Sequence, residues 1–296
     1  MAKPIPKRHH TTPIMLTTNF VDSDGFLHVA WPRHPDRGVV RRRPDRALVR
    51  KHFHTIVERD GSKNVIAEKM LSNLEGRWAP IIREKIIDNI NTNKFQLQHR
   101  IKLSDEELIL LKLLVVAQLW RSPDYYQEIR MDEIFEDTML QAEEHFGKSA
   151  SELLEEEGIS EEDIFHIKEN SRIRTIISGL SAEPSASRMA LQKNLSICVI
   201  QNPKKRFVSG SSPVVNNSTP KRPLDHPESC LFLPISDSVA LQLMGTEIIA
   251  PGTGEGSVVS VDDLWVRKLN IGIARQSEEI VGGNRQLIES LCRNRR

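Results

Sequence analysis

The sequence predicts an α+β fold: a mainly helical layer over about residues 64–180, packed with a small antiparallel carboxyl-terminal sheet and an amino-terminal strand. Three observations predict it. Apolar residues recur at steps of three and four from Asn64 onward, the helical period. After Leu191 they shorten into β-branched or apolar runs broken by turn residues, and ahead of residue 60 one short segment alternates as a strand does. The expected organisation is a single domain over 1–296, with a helical part 64–180, a mixed α/β part 191–296 and a basic loop-and-strand segment 1–63.

Along the chain, Gly25 to Trp31 alternates behind the turn signal Asp24-Gly25, and the Arg/Pro-rich stretch Pro32 to Arg46 is a loop. Ile66, Met70, Leu74, Trp78, Ile81, Ile82 and Ile86 then trace one helical face, which Pro80 is expected to kink or divide, because proline lacks an N–H and clashes with the preceding turn. Ser104 and Glu107 fit a capping box ahead of Leu108, Leu111, Leu114, Val115 and Leu119, and that helix ends near Arg121 because Pro123 disfavours helix just before it. Further helices are predicted over 131–146, 150–157 and 160–179. Beyond Leu191 the expected strands are Leu195–Gln201, Arg206–Ser209, Leu231–Ile235 and Ser238–Leu243, with Val214–Ser229 a long loop. A helix around Val261–Arg275, a strand near Glu278–Val281 and a helix over Asn284–Arg293 complete the expectation.

Composition narrows the class. A mean hydropathy of −0.38 and a charged fraction of 27% describe a water-soluble chain. The most apolar stretch, Leu108 to Trp120, is too short to span a bilayer, so no membrane partner is expected. Cys198, Cys230 and Cys292 form neither a CxxC pair nor a metal-like spacing, and no apolar run follows the basic start, which together suggest a reducing, cytoplasmic setting. Aromatic residues at 5% are too few to suggest a stacking platform for single strands. Charge is segregated: residues 1–60 hold 12 Lys/Arg against 6 Asp/Glu, a balance of +6, whereas residues 131–169 hold 2 against 14, a balance of −12. The basic end can attract nucleic acid; alternatively the two segments solvate separate faces or engage protein partners.

Four segments carry a family resemblance. They are His9-His10-Thr11-Thr12-Pro13 with Asn19-Phe20 and Asp24-Gly25; Glu68 to Glu75, an ExxLxxxE helix; Leu103-Ser104 to Arg121-Ser122-Pro123; and Phe207 to Val215 followed by Leu269-Asn270. In this order and spacing they resemble the domain-of-unknown-function 4238 family, which implies a fold and a residue list rather than a mechanism. One departure stands out: where the family commonly has an SDNP turn, Gly210-Ser211-Ser212-Pro213 places Ser211 at the aspartate position.

The candidate chemistry follows from residue types. His9 and His10 offer imidazoles for a metal ligand or a general base, and since neighbours in an extended segment face opposite sides, His10 is the candidate. Glu68 and Glu75 lie two turns apart on one helix face. Arg121 either pairs with Glu75 between two helices or binds a substrate anion. Ser211 in its turn and Asn270 in its helix are candidate ligand-binding groups, or else satisfy neighbouring backbone. Gly252, Gly254 and Gly256 suit a flexible loop better than a dinucleotide site. Taken together, His10, Glu75 and Arg121 suggest a phosphodiester-directed hydrolase, with a divalent metal as one possible cofactor; the alternative is a non-catalytic protein-interaction or anion-binding module.

Overall fold

The computed structural model describes residues 8–58, 60–92, 100–123, 131–160, 163–164, 170, 173, 177, 192–217, 226, 228–245 and 255–293. Its centre is a five-stranded sheet of order β12-β7-β11-β10-β9: β7 (Asn194–Ile200), β9 (Val215–Asn216), β10 (Leu231–Pro234), β11 (Val239–Met244) and β12 (Ser257–Val261). β12 runs parallel to β7, and the other pairings are antiparallel. Successive residues of a strand face opposite ways. Leu195, Ile197 and Val199 of β7, with Leu241 and Leu243 of β11, therefore join the larger core cluster, while Cys198, Ile200 and Ala240 join a second cluster on the other face.

Helices cover the first face. After the short α1 (Ile14–Thr17), α2 (Ile66–Pro80) runs through Pro80 into a π-helical stretch, Ile81–Ile87, and then α3 (Asp88–Thr92). Where a kink or a break was expected, the helix widens instead: the missing proline N–H is accommodated by a longer hydrogen-bonding register. α4 (Asp105–Arg121) is the central helix, and Ser104 and Glu107 form the expected reciprocal capping box. Leu111, Leu114 and Val115 are fully buried against the sheet. Lys112, which interrupts the apolar pattern, reaches Glu255 Oε1 at 2.6 Å, and Glu255 Oε2 accepts the Leu195 amide, tying the helix to the sheet. Two further helices, α5 (Met131–Phe146) and α6 (Ala150–Glu156), carry the acidic segment. The helix expected over 160–179 falls largely outside the described residues, although 163–164, 170, 173 and 177 are helical.

The second face carries a layer the sequence reading did not contain. β2 (Leu27–Ala30), β3 (Val40–Arg42), β8 (Ser209–Gly210) and β13 (Ile280–Gly282) form an antiparallel four-stranded sheet of order β3-β2-β13-β8, flanked by α7 (Asp263–Gln276) and α8 (Arg285–Arg293). The expected mainly helical layer with one small sheet is thereby corrected: the described residues are 47% helical and 21% strand, and among them are a five-stranded and a four-stranded sheet. Strands buried on both faces give apolar runs without the alternation that would have announced a layer on each side. The amino-terminal strand is part of this second sheet, and Gly210 shows how closely it is packed: a Cβ there would lie 2.9 Å from Ser277 Cβ and 3.0 Å from the Glu279 carbonyl. Two short ribbons remain, β1 (Arg8–His10) with β4 (Val49–Lys51) and β5 (Ile56–Val57) with β6 (Lys63–Asn64). Among the described residues no helix is long and apolar enough to cross a membrane.

Candidate functional site

Three parts of the chain meet where α4 ends. Ser122 is extended, as Pro123 requires, so Arg121 is the last residue of the helix and its side chain leaves the C-terminal end, where a cation is favoured. It is only 2% exposed. Its guanidinium donates in three directions: Nε to His54 Nε2 at 3.2 Å, Nη1 to Glu75 Oε1 at 2.6 Å, and Nη2 to the His10 carbonyl at 2.7 Å. Of the two readings of Arg121, the packing one describes this arrangement, because the planar fork is filled by the protein's own acceptors.

The β1 ribbon supplies the histidines. His9 pairs in register with Arg50, His10 with Val49, and their side chains point to opposite sides. His9 is fully buried; its Nδ1 accepts the His54 backbone amide at 2.8 Å, and its ring stacks on His54 with centroids 5.8 Å apart. That bond leaves the proton of a neutral His9 on Nε2. Glu68 Oε2 lies 3.8 Å from the same Nδ1 and, buried, has no hydrogen-bond partner. Burial raises the Glu68 carboxyl above its ordinary range, against the opposing pull of Arg121 and His9.

His10 occupies the other side of the ribbon. Its ring bonds the backbone carbonyl of Asp45, which also accepts Arg8 Nη2, while its Nε2 is buried with no hydrogen-bond partner. Burial first, and the charge of Arg121 second, lower the pKa of His10 below 6.5, so its neutral form dominates near neutral pH. Lys63 Nζ approaches His52 Nε2 at 3.3 Å, adding a fourth imidazole to the surroundings. The backbone on either side of β4 is unusual: Leu48 and His52 have φ of 54° and 53°, the left-handed region that side chains seldom adopt, and such strain gathers at functional sites.

An open depression is lined by Phe26, Arg41, Arg42, Arg43, Asp45 and Arg46. Arg41 and Arg43 lie over the Phe26 ring, and Arg42 and Arg37 over Trp31. Arg41 also pairs with Asp22 at 2.7 Å and with Asp24, and Arg42 with Glu279 at 3.4 Å. Asp45 belongs both to this depression and to the carbonyl contact that orients His10.

A model of the family described as protein of unknown function (DUF4238) matches residues 8–286. The chain belongs to that family. No curated protein and no solved structure matches it.

In this DUF4238 member, His10, Glu68, Glu75 and Arg121 are thus brought into one neighbourhood, whereas Ser211 and Asn270 lie on backbone. Ser211 Oγ accepts the Glu278 and Glu279 amides at 3.0 and 3.4 Å, an acceptor role that an aspartate at that position would also fill. Asn270 Oδ1 accepts the Val208 amide and its Nδ2 donates to the Arg206 carbonyl, clamping α7 to the segment before β8. Gly252 and Gly254 lie outside the described residues; Gly256 has φ +76° and its carbonyl accepts the Ile101 amide. Among the described residues no group of three or more His, Cys, Asp or Glu side chains is arranged to hold a metal ion, so no ligand set can be named for a divalent cation. His52 and His54 were missed from sequence, and His9 was set aside in favour of His10; His52-Phe53-His54 puts two imidazoles close together in the chain, but the turn at 52–54 that aims them is not announced by that spacing.

Proposed function

We propose that this chain is a phosphodiester-directed hydrolase acting on nucleic acid, with His10 as its general base. One observation carries the reading: the half-buried His10 imidazole has its second nitrogen unpartnered, its first bonded to the Asp45 carbonyl, and a lowered pKa, and Asp45 in turn lines an arginine-rich depression. A neutral imidazole takes a proton at its unpartnered Nε2 once substrate binding brings the attacking water within hydrogen-bond reach of that now covered atom, as general bases do. Glu75 raises the affinity of His10 for that proton and so favours the imidazolium that forms. Glu68 lines the opposite side of β1, and Arg121, whose donors are engaged by His54, Glu75 and the His10 carbonyl, is a positioning residue that does not touch substrate. The guanidiniums of Arg43 and Arg46 suit phosphate oxygens of a nucleic-acid backbone.

The test is cleavage of labelled RNA and DNA by purified protein, with and without divalent cations. His10→Ala is expected to lower cleavage by about 100-fold or more while leaving binding intact. Absence of cleavage by the wild type under every condition, or equal cleavage by both proteins, removes the catalytic assignment. A second reading, a nucleic-acid or protein interaction module without catalysis, is favoured by the engagement of all three Arg121 nitrogens within the protein. It predicts binding that responds to Arg43→Ala/Arg46→Ala and not to His10→Ala, with no turnover.

A further inference from the structure

On the far side of the four-stranded sheet, a cavity of about 310 Å³ opens between α7, α8 and the loop ahead of Phe207. Its rim is cationic: Lys204, Lys205, Arg206, Arg267 and Arg275 line it against one carboxylate, Asp263. Some of these charges are already engaged. Arg206 pairs with Asp237 at 2.8 Å, and Lys205 lies 3.6 Å from Asp263, which also accepts Asn202 Nδ2. Lys204 and Arg267 are exposed, and among the described residues neither side chain meets a carboxylate. A third source of positive potential is the start of α8, a nine-residue helix whose first turn is capped by Asn284 Oδ1 on the Leu287 amide and which also borders the cavity. The floor is different in kind: half-buried Ile271 and Leu287 offer apolar surface, backed by the buried Val266.

We infer that this cavity binds a small organic phosphate of mononucleotide size, its phosphate held by Lys204, Arg267 and the α8 amino terminus and its base lying on the Val266–Ile271–Leu287 floor. The volume fits: small-ligand pockets begin at about 300 Å³, mostly apolar with a few convergent polar groups. The site lies apart from His10 and stands whether or not the hydrolase reading does.

Titration calorimetry with adenosine monophosphate, adenosine and inorganic phosphate tests it. Adenosine monophosphate is expected to bind, with adenosine and phosphate each weaker by about tenfold or more, because each keeps half of the contacts. Lys204→Ala/Arg267→Ala, two exposed positions whose loss should leave the melting temperature unchanged, is expected to weaken the nucleotide by about tenfold or more. Arg43→Ala/Arg46→Ala is expected to bind it as the wild type does. The inference is overturned by no nucleotide binding at millimolar concentration, by wild-type affinity in the Lys204/Arg267 variant, by adenosine binding as tightly as its phosphate, or by loss of binding in the Arg43/Arg46 variant instead.

Discussion

Arg121 sits among acceptors that have few other donors to turn to. Removing its guanidinium leaves the Glu75 carboxylate, the His54 ring and the His10 carbonyl without that partner inside the protein. Arg121→Ala is expected to cost about 3–5 kcal/mol in urea denaturation, the range for breaking a buried pair from one side, and Arg121→Lys to recover little, since a single ammonium cannot reproduce the planar fork. A loss below about 1 kcal/mol would place this arginine among ordinary surface pairs. Proton linkage separates the two faces of β1. The folded pKa of His10 lies below 6.5, so its contribution to stability is present above that value and is lost as pH falls through the lowered folded value. Glu68 behaves oppositely: its folded pKa lies above 4.5, so its contribution is present below 4.5 and is lost as pH rises through the folded value. Glu68→Gln should therefore raise the melting temperature at pH 7 and lose that gain toward pH 4, whereas His10→Gln should flatten the fall in stability on acidification below pH 6.5. Unchanged profiles in both variants would mean that neither group is desolvated as described.

At the level of elements, what was legible in the sequence was what is decided locally. Ser104, Glu107 and the apolar spacing behind them located α4 to within a residue, because capping and helical periodicity act over a few positions. The strands of the four-stranded sheet were located only in part and were not assembled: β3 lies inside the Pro32 to Arg46 stretch that was read as a loop. β2 was expected from its alternation and β13 from a short apolar run, yet nothing near Val29 announces that it pairs with Val281, or that Val281 pairs with Ser209. The site was legible in part for the same reason: Glu68 and Glu75 share a helical face by simple periodicity, while the approach of His9 to His54 depends on the β1–β4 register. Packing at this sheet also makes a sharp prediction. Gly210→Ala should cost about 1–3 kcal/mol, the usual penalty of overpacking, because Ser277 and the Glu279 carbonyl leave no room for a methyl group. Ser104→Ala, which removes only a cap, should cost about 1 kcal/mol. Urea midpoints of the two variants give the comparison, and a Gly210→Ala protein as stable as wild type would refute the close approach.

For the molecule as a whole, charge is arranged by region: an arginine-rich surface belongs to the amino-terminal part and an acidic helical pair to the middle. If the depression around Phe26 carries nucleic-acid phosphates, affinity must fall with rising salt, and Arg43→Ala/Arg46→Ala should lower the slope of log affinity against log salt by about 2. Equal slopes for both proteins, measured by fluorescence anisotropy, would take those two guanidiniums out of the contact. The same long-range construction governs how the chain is made. β2 lies between β3, which emerges soon after it, and β13, which spans Ile280–Gly282. On the ribosome, then, one flank of β2 stays open while the helices and the whole central sheet are being translated. Unpaired flanks of this kind recruit stray neighbours, and topologies that join distant segments fold slowly. The nascent polypeptide can complete its second sheet only after residue 282 has cleared the exit tunnel, so that sheet closes late in synthesis.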